Sequence, residues 1–294
     1  MKNYLFIGYG FSKKNPYLIF EDFSTHIRQA LPIKFNTVTI EKIGQRQCIG
    51  TYDLMTFATL PCKNHMSLNI KHKGYYCDKC KTINGFNPAF YNAAKISPQQ
   101  AMYNNTAHIV YMAYFSEKCI KVGIASKKRY MTRLLEQGAR AAIVLDEFSN
   151  ANLARNLEKR LCSNEEISET VFSEKKLFLL LSEKYSYKRA EEILNKYVNR
   201  YYRGLAITKV LNLSPYYMDP TFESISMSRI INAEEVSISG KLIGLIGEYI
   251  IVEQDGIFFP VSVKKFISHS IAYYPGEIRC RYEAEPQQLS LWDI

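Results

Sequence analysis

The run CDKC at positions 77–80 sets Cys77 and Cys80 apart by two residues. That spacing lets one tight turn present two thiolates to a tetrahedral ion. Three more ligand-type residues lie upstream: Cys48 in RQCIG, and Cys62 and His65 in PCKNH. Soft thiolates in a tetrahedral arrangement suit zinc. Two ligand sets compete. One is Cys48, Cys62, Cys77 and Cys80; the other exchanges Cys48 for His65, in a Cys-x-x-His knuckle. Either set fills the coordination sphere with protein atoms, so the expected zinc is structural, with no position open to a reacting water. A redox pair, or unligated thiols, is the competing account. Residues 48–90 favour metal, because they are rich in Cys, Lys and Gly and poor in aliphatic side chains. A segment so short of core needs a staple. Seven cysteines, an odd number, fit poorly with a disulfide framework. Cys119, Cys162 and Cys280 sit in apolar settings and read as packing residues.

The elements that position these residues change character along the chain. Residues 1–50 read as strands: YLFIGYG, YLIFEDF and FNTVTIEKI set β-formers between turn residues. GYGF at 8–11 lacks the third glycine and the βαβ setting of a dinucleotide loop, which excludes that reading. HIVYMAYF and CIKVGIAS predict a two-stranded hairpin over 107–125. RYMTRLLEQGARAA opens as a helix, with Tyr130, Leu134 and Leu135 at helical spacing. AIVLDEF is a short buried strand. NANLARNLEKRLC and SYKRAEEILNKYVNRYYRG are helices, the second closed by Gly204. Beyond Pro215 and Pro220 strands return, and QDG within SISGKLIGLIGEYIIVEQDGIFFPVSV is a hairpin signal. Residues 221–282 therefore predict a small antiparallel barrel or curled sheet. YEAEPQQ, polar and holding Pro286, leads flexibly to the tail. Four parts follow: a β-rich region over 1–100 with its zinc module at about 48–90, a core over 101–212, a small antiparallel β domain over 213–282, and a tail over 283–294.

The chain has 38 Lys and Arg against 28 Asp and Glu, a net charge of +10, which favours a polyanionic partner such as nucleic acid. With 22 Tyr and 16 Phe, aromatic rings carry much of the packing. MKNYLFIGYGFSKKNP shows neither a signal peptide nor a membrane span, and no later stretch reaches ~18 uninterrupted apolar residues. The expected location is cytoplasmic.

The central stretch HIVYMAYFSEKCIKVGIASKKRYMTRLLEQGARAA reads strand, turn, strand, glycine, then a helix with arginine in its first turns. This order resembles the core of the GIY-YIG nucleases. In that family the first strand carries a tyrosine, the second ends in a glycine, an arginine follows on the next helix, and a glutamate on a later helix holds a metal. The resemblance carries these over to Tyr111 in VYMA, Gly123 in KVGI, Arg133 in TRLL and Glu158 in LARNLEKRL. Two positions depart: Ile109 replaces the first glycine and Lys121 the second tyrosine. The family's tyrosines orient or deprotonate the attacking water, and Lys121 could be a base only with a strongly depressed pKa. The implied chemistry is phosphodiester hydrolysis, which needs a positioned water, a divalent ion and a cation for the transition-state charge. Glu158, a single carboxylate, would leave most positions of Mg²⁺ or Mn²⁺ to water and phosphate. Arg133 would offer a planar fork to phosphate, and Lys127, Lys128 and Arg129 would contact the DNA backbone.

A second resemblance covers most of the chain. CIG, PC, CDKC, GFNP, VYMAYF, IKVGIAS, TRLLEQGARAA and SGKLIGLIGEYIIVEQDGIFFPV occur in the order seen in the bacterial domain of unknown function 2797 family. EQGA, after Arg133, is its most distinctive run. This resemblance implies a cysteine cluster, a GIY-YIG-like core and a glycine-rich β segment. It favours the four-cysteine set, because that family places a cysteine before glycine at the position of Cys48. The implied fold is α+β, with a GIY-YIG-like α/β core flanked by a zinc-stapled β-rich N-terminal region and a small antiparallel barrel-like C-terminal region.

The chain closes on QLSLW, and Trp292 is its only tryptophan. Gln288, Leu289, Ser290, Leu291 and Trp292 resemble the short motif by which bacterial proteins dock on the replication sliding clamp. Such a peptide fills an apolar pocket with its Leu and aromatic side chains while Gln meets polar backbone groups. The alternative is a last strand folded back on the protein. Clamp tethering suits a basic, DNA-bound protein, because it raises local concentration. Two functions compete: a metal-dependent DNA endonuclease recruited to the clamp, structure-specific in one version, and a zinc-containing DNA-binding protein that does not cleave.

Overall fold

The computed structural model describes residues 2–12, 15–69, 71–85, 96–202, 204–222, 225–231 and 237–285. The first strands are β1 (Lys2–Ser12), β2 (Asn15–Asp22), β3 (Arg28–Pro32), β4 (Thr37–Gln47), β5 (Thr51–Tyr52), β6 (Thr59–Leu60) and β7 (Ser67–Leu68). Two short helices follow, α1 (Asp78–Asn84) and α2 (Pro98–Asn104). A middle block holds β8 (His108–Ser116), β9 (Cys119–Ser126), α3 (Tyr130–Gln137), β10 (Ala141–Phe148), α4 (Ala151–Cys162), β11 (Ile167–Ser168), α5 (Ser173–Ser182), α6 (Tyr187–Tyr201) and β12 (Leu211–Asn212). The last strands are β13 (Ile238–Ile246), β14 (Tyr249–Gln254), β15 (Ile257–Ser262) and β16 (His269–Pro275).

Nine strands form one sheet in the order β15-β14-β13-β4-β16-β1-β2-β3, with β7 also on β4. All its pairs are antiparallel. Strands from both ends of the sequence interleave, since β4 lies between β13 and β16, and β16 between β4 and β1. This corrects the expected fold. Among the described residues no closed barrel forms from the C-terminal strands, and the fold is mostly antiparallel sheet rather than a GIY-YIG-like α/β core with small β regions beside it. The reason lies in strand edges. A separate C-terminal sheet would leave β13 with an unpaired row of N–H and C=O groups, and β4 supplies the partner.

The second sheet has the order β11-β9-β8-β10-β12, antiparallel except for the β11–β9 pair. Its central strand β8 is buried at every residue, as a continuous apolar run demands. Side chains alternate across a strand. Ile109, Tyr111, Ala113 and Phe115 face α3 and the large sheet, while Val110, Met112 and Tyr114 pack against α4 and α6. The small sheet is thus a middle layer, and its Tyr111 side meets the rest of the molecule.

Helix α3 stops at Gly138, whose left-handed backbone (φ 79°) lets its N–H reach the carbonyls of Leu134 and Leu135. Gly138 also touches Gly247 (φ 59°) in the β13–β14 turn. A Cβ on Gly247 would lie 2.9 Å from the Gly138 N and Cα. The EQGA and IGEY runs therefore meet backbone to backbone, joining the end of α3 to the large sheet. The QDG hairpin forms as its sequence predicts, with Asp255 (φ 51°) and Gly256 (φ 80°) both left-handed. Helix α6 ends at Tyr201, short of Gly204. Tyr202 is extended and buried, and its hydroxyl donates to Asp146 Oδ2 at 3.1 Å. Among the described residues no helix is long and apolar enough to cross a membrane.

Candidate functional site

Cys48 follows β4, Cys62 follows the β5–β6 hairpin, Cys77 caps α1 and Cys80 sits in its first turn. The structure brings all four together. Their sulfurs lie within 4.8 Å of one another, and all four residues are buried. Cys62 Sγ is 4.0 Å from that of Cys77 and 3.7 Å from that of Cys80. A disulfide needs ~2.05 Å. A tetrahedron of ~2.3 Å zinc–sulfur bonds has an edge of roughly 3.8 Å, so the spacing suits ligands of one ion and not a bond. The N–H of Cys77 donates to Cys48 Sγ at 3.1 Å and that of Gly50 at 3.4 Å, contacts that support a thiolate. Burial pushes the Cys48 thiol up to about 11 and raises Cys80 as well. Thiols packed in this way ionise when a dication joins them. Gly50 explains the glycine of CIG: with φ 87°, a Cβ there would lie 1.9 Å from the Leu60 carbonyl oxygen. His65 is not in the set; its ring stacks on that of His26 with centroids 3.8 Å apart. The buried four-cysteine cluster could hold a metal such as zinc.

Next to this cluster, Tyr111, Lys121, Gly123, Arg133 and Glu158 line one cleft of about 630 Å³. β8, β9, α3 and α4 contribute these side chains. The cysteine module contributes Tyr52, Phe57, Tyr75 and Tyr76, with Lys73 and Lys81. Six cations border the cleft (Lys73, Lys81, Lys121, Arg129, Arg133 and Arg155) against two carboxylates, Glu158 and Glu169. The cleft is therefore positive and partly aromatic, a combination that suits phosphate and base together.

Tyr111 and Gly123 are cross-strand partners in the β8–β9 hairpin. A Cβ at Gly123 would lie 2.6 Å from the Tyr111 hydroxyl, so the glycine makes room for the ring. Gln137, from the EQGA run, donates to that hydroxyl at 2.6 Å. Tyr111 is 1 % exposed, and burial raises its pKa. Burial lowers the Lys121 pKa, against the opposing pull of Glu158. The Lys121 ammonium donates to the Glu169 carbonyl. Glu158 is 4 % exposed, and burial raises its pKa while Arg155 opposes. Arg155 pairs with Glu158 and reaches Glu169 Oε1 at 2.6 Å. Arg133 is exposed, and among the described residues no carboxylate pairs with it.

The residues expected on the DNA backbone divide. Arg129 lines the cleft, pairs with Glu136 at 2.7 Å and lies over the rings of Tyr52 (5.9 Å) and Phe57 (5.7 Å). It fastens the cysteine module to α3. Lys127 pairs with Glu147 at 2.8 Å, Lys128 is exposed, and neither borders the cleft. Gln288, Leu289, Ser290, Leu291 and Trp292 lie outside the described residues. Sequence reasoning missed Arg155, although it stands one helical turn before Glu158. It also missed Glu169 and the aromatic residues of the module, for which no spacing gave a signal.

No curated protein and no solved structure matches the chain. Residues 36–271 match the family described as protein of unknown function (DUF2797). That span takes in the four cysteines and every cleft residue named above, and the chain belongs to that family.

Proposed function

We propose that this protein is a metal-dependent DNA endonuclease whose chemistry takes place in the cleft beside a zinc-loaded cysteine cluster. One observation carries the reading: Tyr111, Lys121, Arg133 and Glu158, spread over two strands and two helices, converge on one positively charged cleft. Arg133, exposed and without a carboxylate partner among the described residues, is the cation for the phosphate. Glu158 is the ligand of a Mg²⁺ or Mn²⁺ ion, which competes with the Arg155 guanidinium for the carboxylate. Tyr111 and Lys121 flank the attacking water. Zinc in the cysteine cluster holds the module that forms the opposite wall. The Gln288–Trp292 tail tethers the enzyme to the replication clamp in the cytoplasm.

The test is cleavage of linear, nicked, flapped and branched DNA with Mg²⁺ and Mn²⁺. Wild type is expected to cut at least one substrate, Glu158→Ala none, and Arg133→Ala roughly 10²–10³-fold more slowly, as for loss of one charge-stabilising donor. Cleavage that survives both substitutions would place the chemistry elsewhere. Binding of DNA without cleavage selects the second reading, a zinc-containing, clamp-associated DNA-binding protein. Two observations favour that alternative: Glu158 is already paired with Arg155, and a lysine stands where a tyrosine was expected to act.

A further inference from the structure

We infer that Glu21, His26 and His65 form a second divalent-cation site, separate from the four-cysteine cluster. The three come from two distant parts of the chain. Glu21 lies near the end of β2, His26 in the turn that follows, and His65 in the loop after Cys62. One ligand atom from each lies within 4.8 Å of the others. Glu21 Oε1 is 3.6 Å from His26 Nδ1. Bonds of ~2.1 Å to a tetrahedral ion give a ligand–ligand edge of roughly 3.4 Å, so this pair already stands at coordination spacing. The imidazoles lie face to face at 3.8 Å with an interplanar angle of 22°. Because each imidazole lone pair lies in its ring plane, an ion held by both histidines turns the rings out of this stack.

The supporting shell is built. Glu21 is 4 % exposed, and its Oε2 accepts from Arg28 Nε at 3.1 Å, which leaves Oε1 to the histidines. Arg28 is itself anchored, since its Nη2 donates to the Ile49 carbonyl at 2.7 Å. Such a contact orients a carboxylate ligand from behind. Both histidines hold left-handed backbones, φ 55° at His26 and 43° at His65. That conformation is disfavoured for side chains with a Cβ, and it gathers where a surrounding site imposes it. Here two turns impose it: His26 N–H donates to the Asp22 carbonyl at 2.8 Å and His65 N–H to that of Cys62 at 3.0 Å. Two imidazole nitrogens and one carboxylate oxygen suit Zn²⁺, Co²⁺ or Ni²⁺ over Mg²⁺ or Ca²⁺. Three protein ligands leave a fourth position for water. An ion there ties the cysteine loop to the β2–β3 turn.

The experiment uses the full chain without a histidine tag, its cysteine cluster filled with Zn²⁺, titrated with Co²⁺ by calorimetry and visible absorption. The expected result is one further equivalent of Co²⁺, with d–d bands and no thiolate charge-transfer band. His26→Asn, His65→Asn and Glu21→Gln are each expected to weaken that equivalent at least tenfold. Asn adopts the left-handed backbone readily, so the turns survive, and unchanged melting of the two Asn variants without Co²⁺ verifies this. His26 lies outside the cysteine loop, so its variant reads the second site even where the His65 variant disturbs the first. No further equivalent in wild type, or one retained by all three variants, overturns the proposal.

Discussion

Glu158 is a buried carboxylate whose ion-pair partner, Arg155, is also the residue a metal would have to displace. Removing that partner separates structure from chemistry. Arg155→Met leaves the carboxylate buried and unpaired, which costs about 3 kcal/mol in comparable cases. Differential scanning should show a lowered Tm, and added Mn²⁺ should raise the Tm of this variant more than that of wild type, because only an ion bound to the native state stabilises it. Equal Mn²⁺ shifts in both proteins would remove Glu158 as a metal ligand. A second residue-scale outcome concerns Lys176, which lies 5.8 Å from the Phe115 ring and whose pKa burial lowers from 10.5 to about 8, with Glu248 opposing. The folded state loses this proton before the unfolded state does. The lysine's cost is therefore fully present below pH 8, and stability should rise from pH 8 toward pH 10.5, by about 2 kcal/mol. Denaturant melts of Lys176→Met should show greater stability at pH 7 and lack that rise. At this scale the sequence was informative where residue type is scarce. The cysteines and the Tyr111, Gly123, Arg133 and Glu158 set could be named in advance, and each reaches its common site. Tyr52 and Phe57 could not, because an aromatic residue in a chain so rich in them marks nothing by itself.

Between elements, the contact of Gly138 with Gly247 ties the end of α3, the helix that carries Arg133 and Gln137, to the β13–β14 turn. Gly247→Ala adds a Cβ 2.9 Å from backbone and strains a left-handed turn. The expected cost is about 2–4 kcal/mol, read as a lowered urea midpoint. If catalysis occurs in the cleft, activity should fall further than stability explains, since α3 cannot close on β13. An unchanged midpoint would show that the turn relaxes freely. The EQGA run was conspicuous in the sequence, yet its meaning is a contact with a glycine more than a hundred positions away, which no local pattern encodes. Strands β1, β2, β4, β8, β9, β10 and β14 were legible from their apolar runs. The partner of β13 was not, because a strand pattern fixes which face is buried but not which edge is next. Helix α5 escaped notice for another reason: none of its residues is fully buried, so it lacks the apolar stripe by which helices are read.

Across the whole molecule, the cysteine cluster and the cleft are one construction, because the loops that carry the four cysteines supply the cleft's aromatic wall. Cys48→Ser should release about one equivalent of zinc and weaken DNA binding together, as measured by metal analysis and fluorescence anisotropy. Zinc loss with undiminished DNA affinity would detach the module from the binding surface. Affinity should also fall steeply with salt, with a slope that drops by about 1 when Arg133 is replaced by Ala. The interleaved large sheet has a further consequence, in time rather than in space. During synthesis β4 emerges with both edges open, and the strands that cover them, β13 and β16, are still to come. At about 5–20 residues per second the ribosome needs roughly 10–40 s to reach β13. The contiguous middle block can fold in that interval and β1, β2 and β3 can pair with one another, while β1 and β4 wait with edges open to any passing strand. A nascent chain stalled before β13 should therefore be the form most dependent on chaperones.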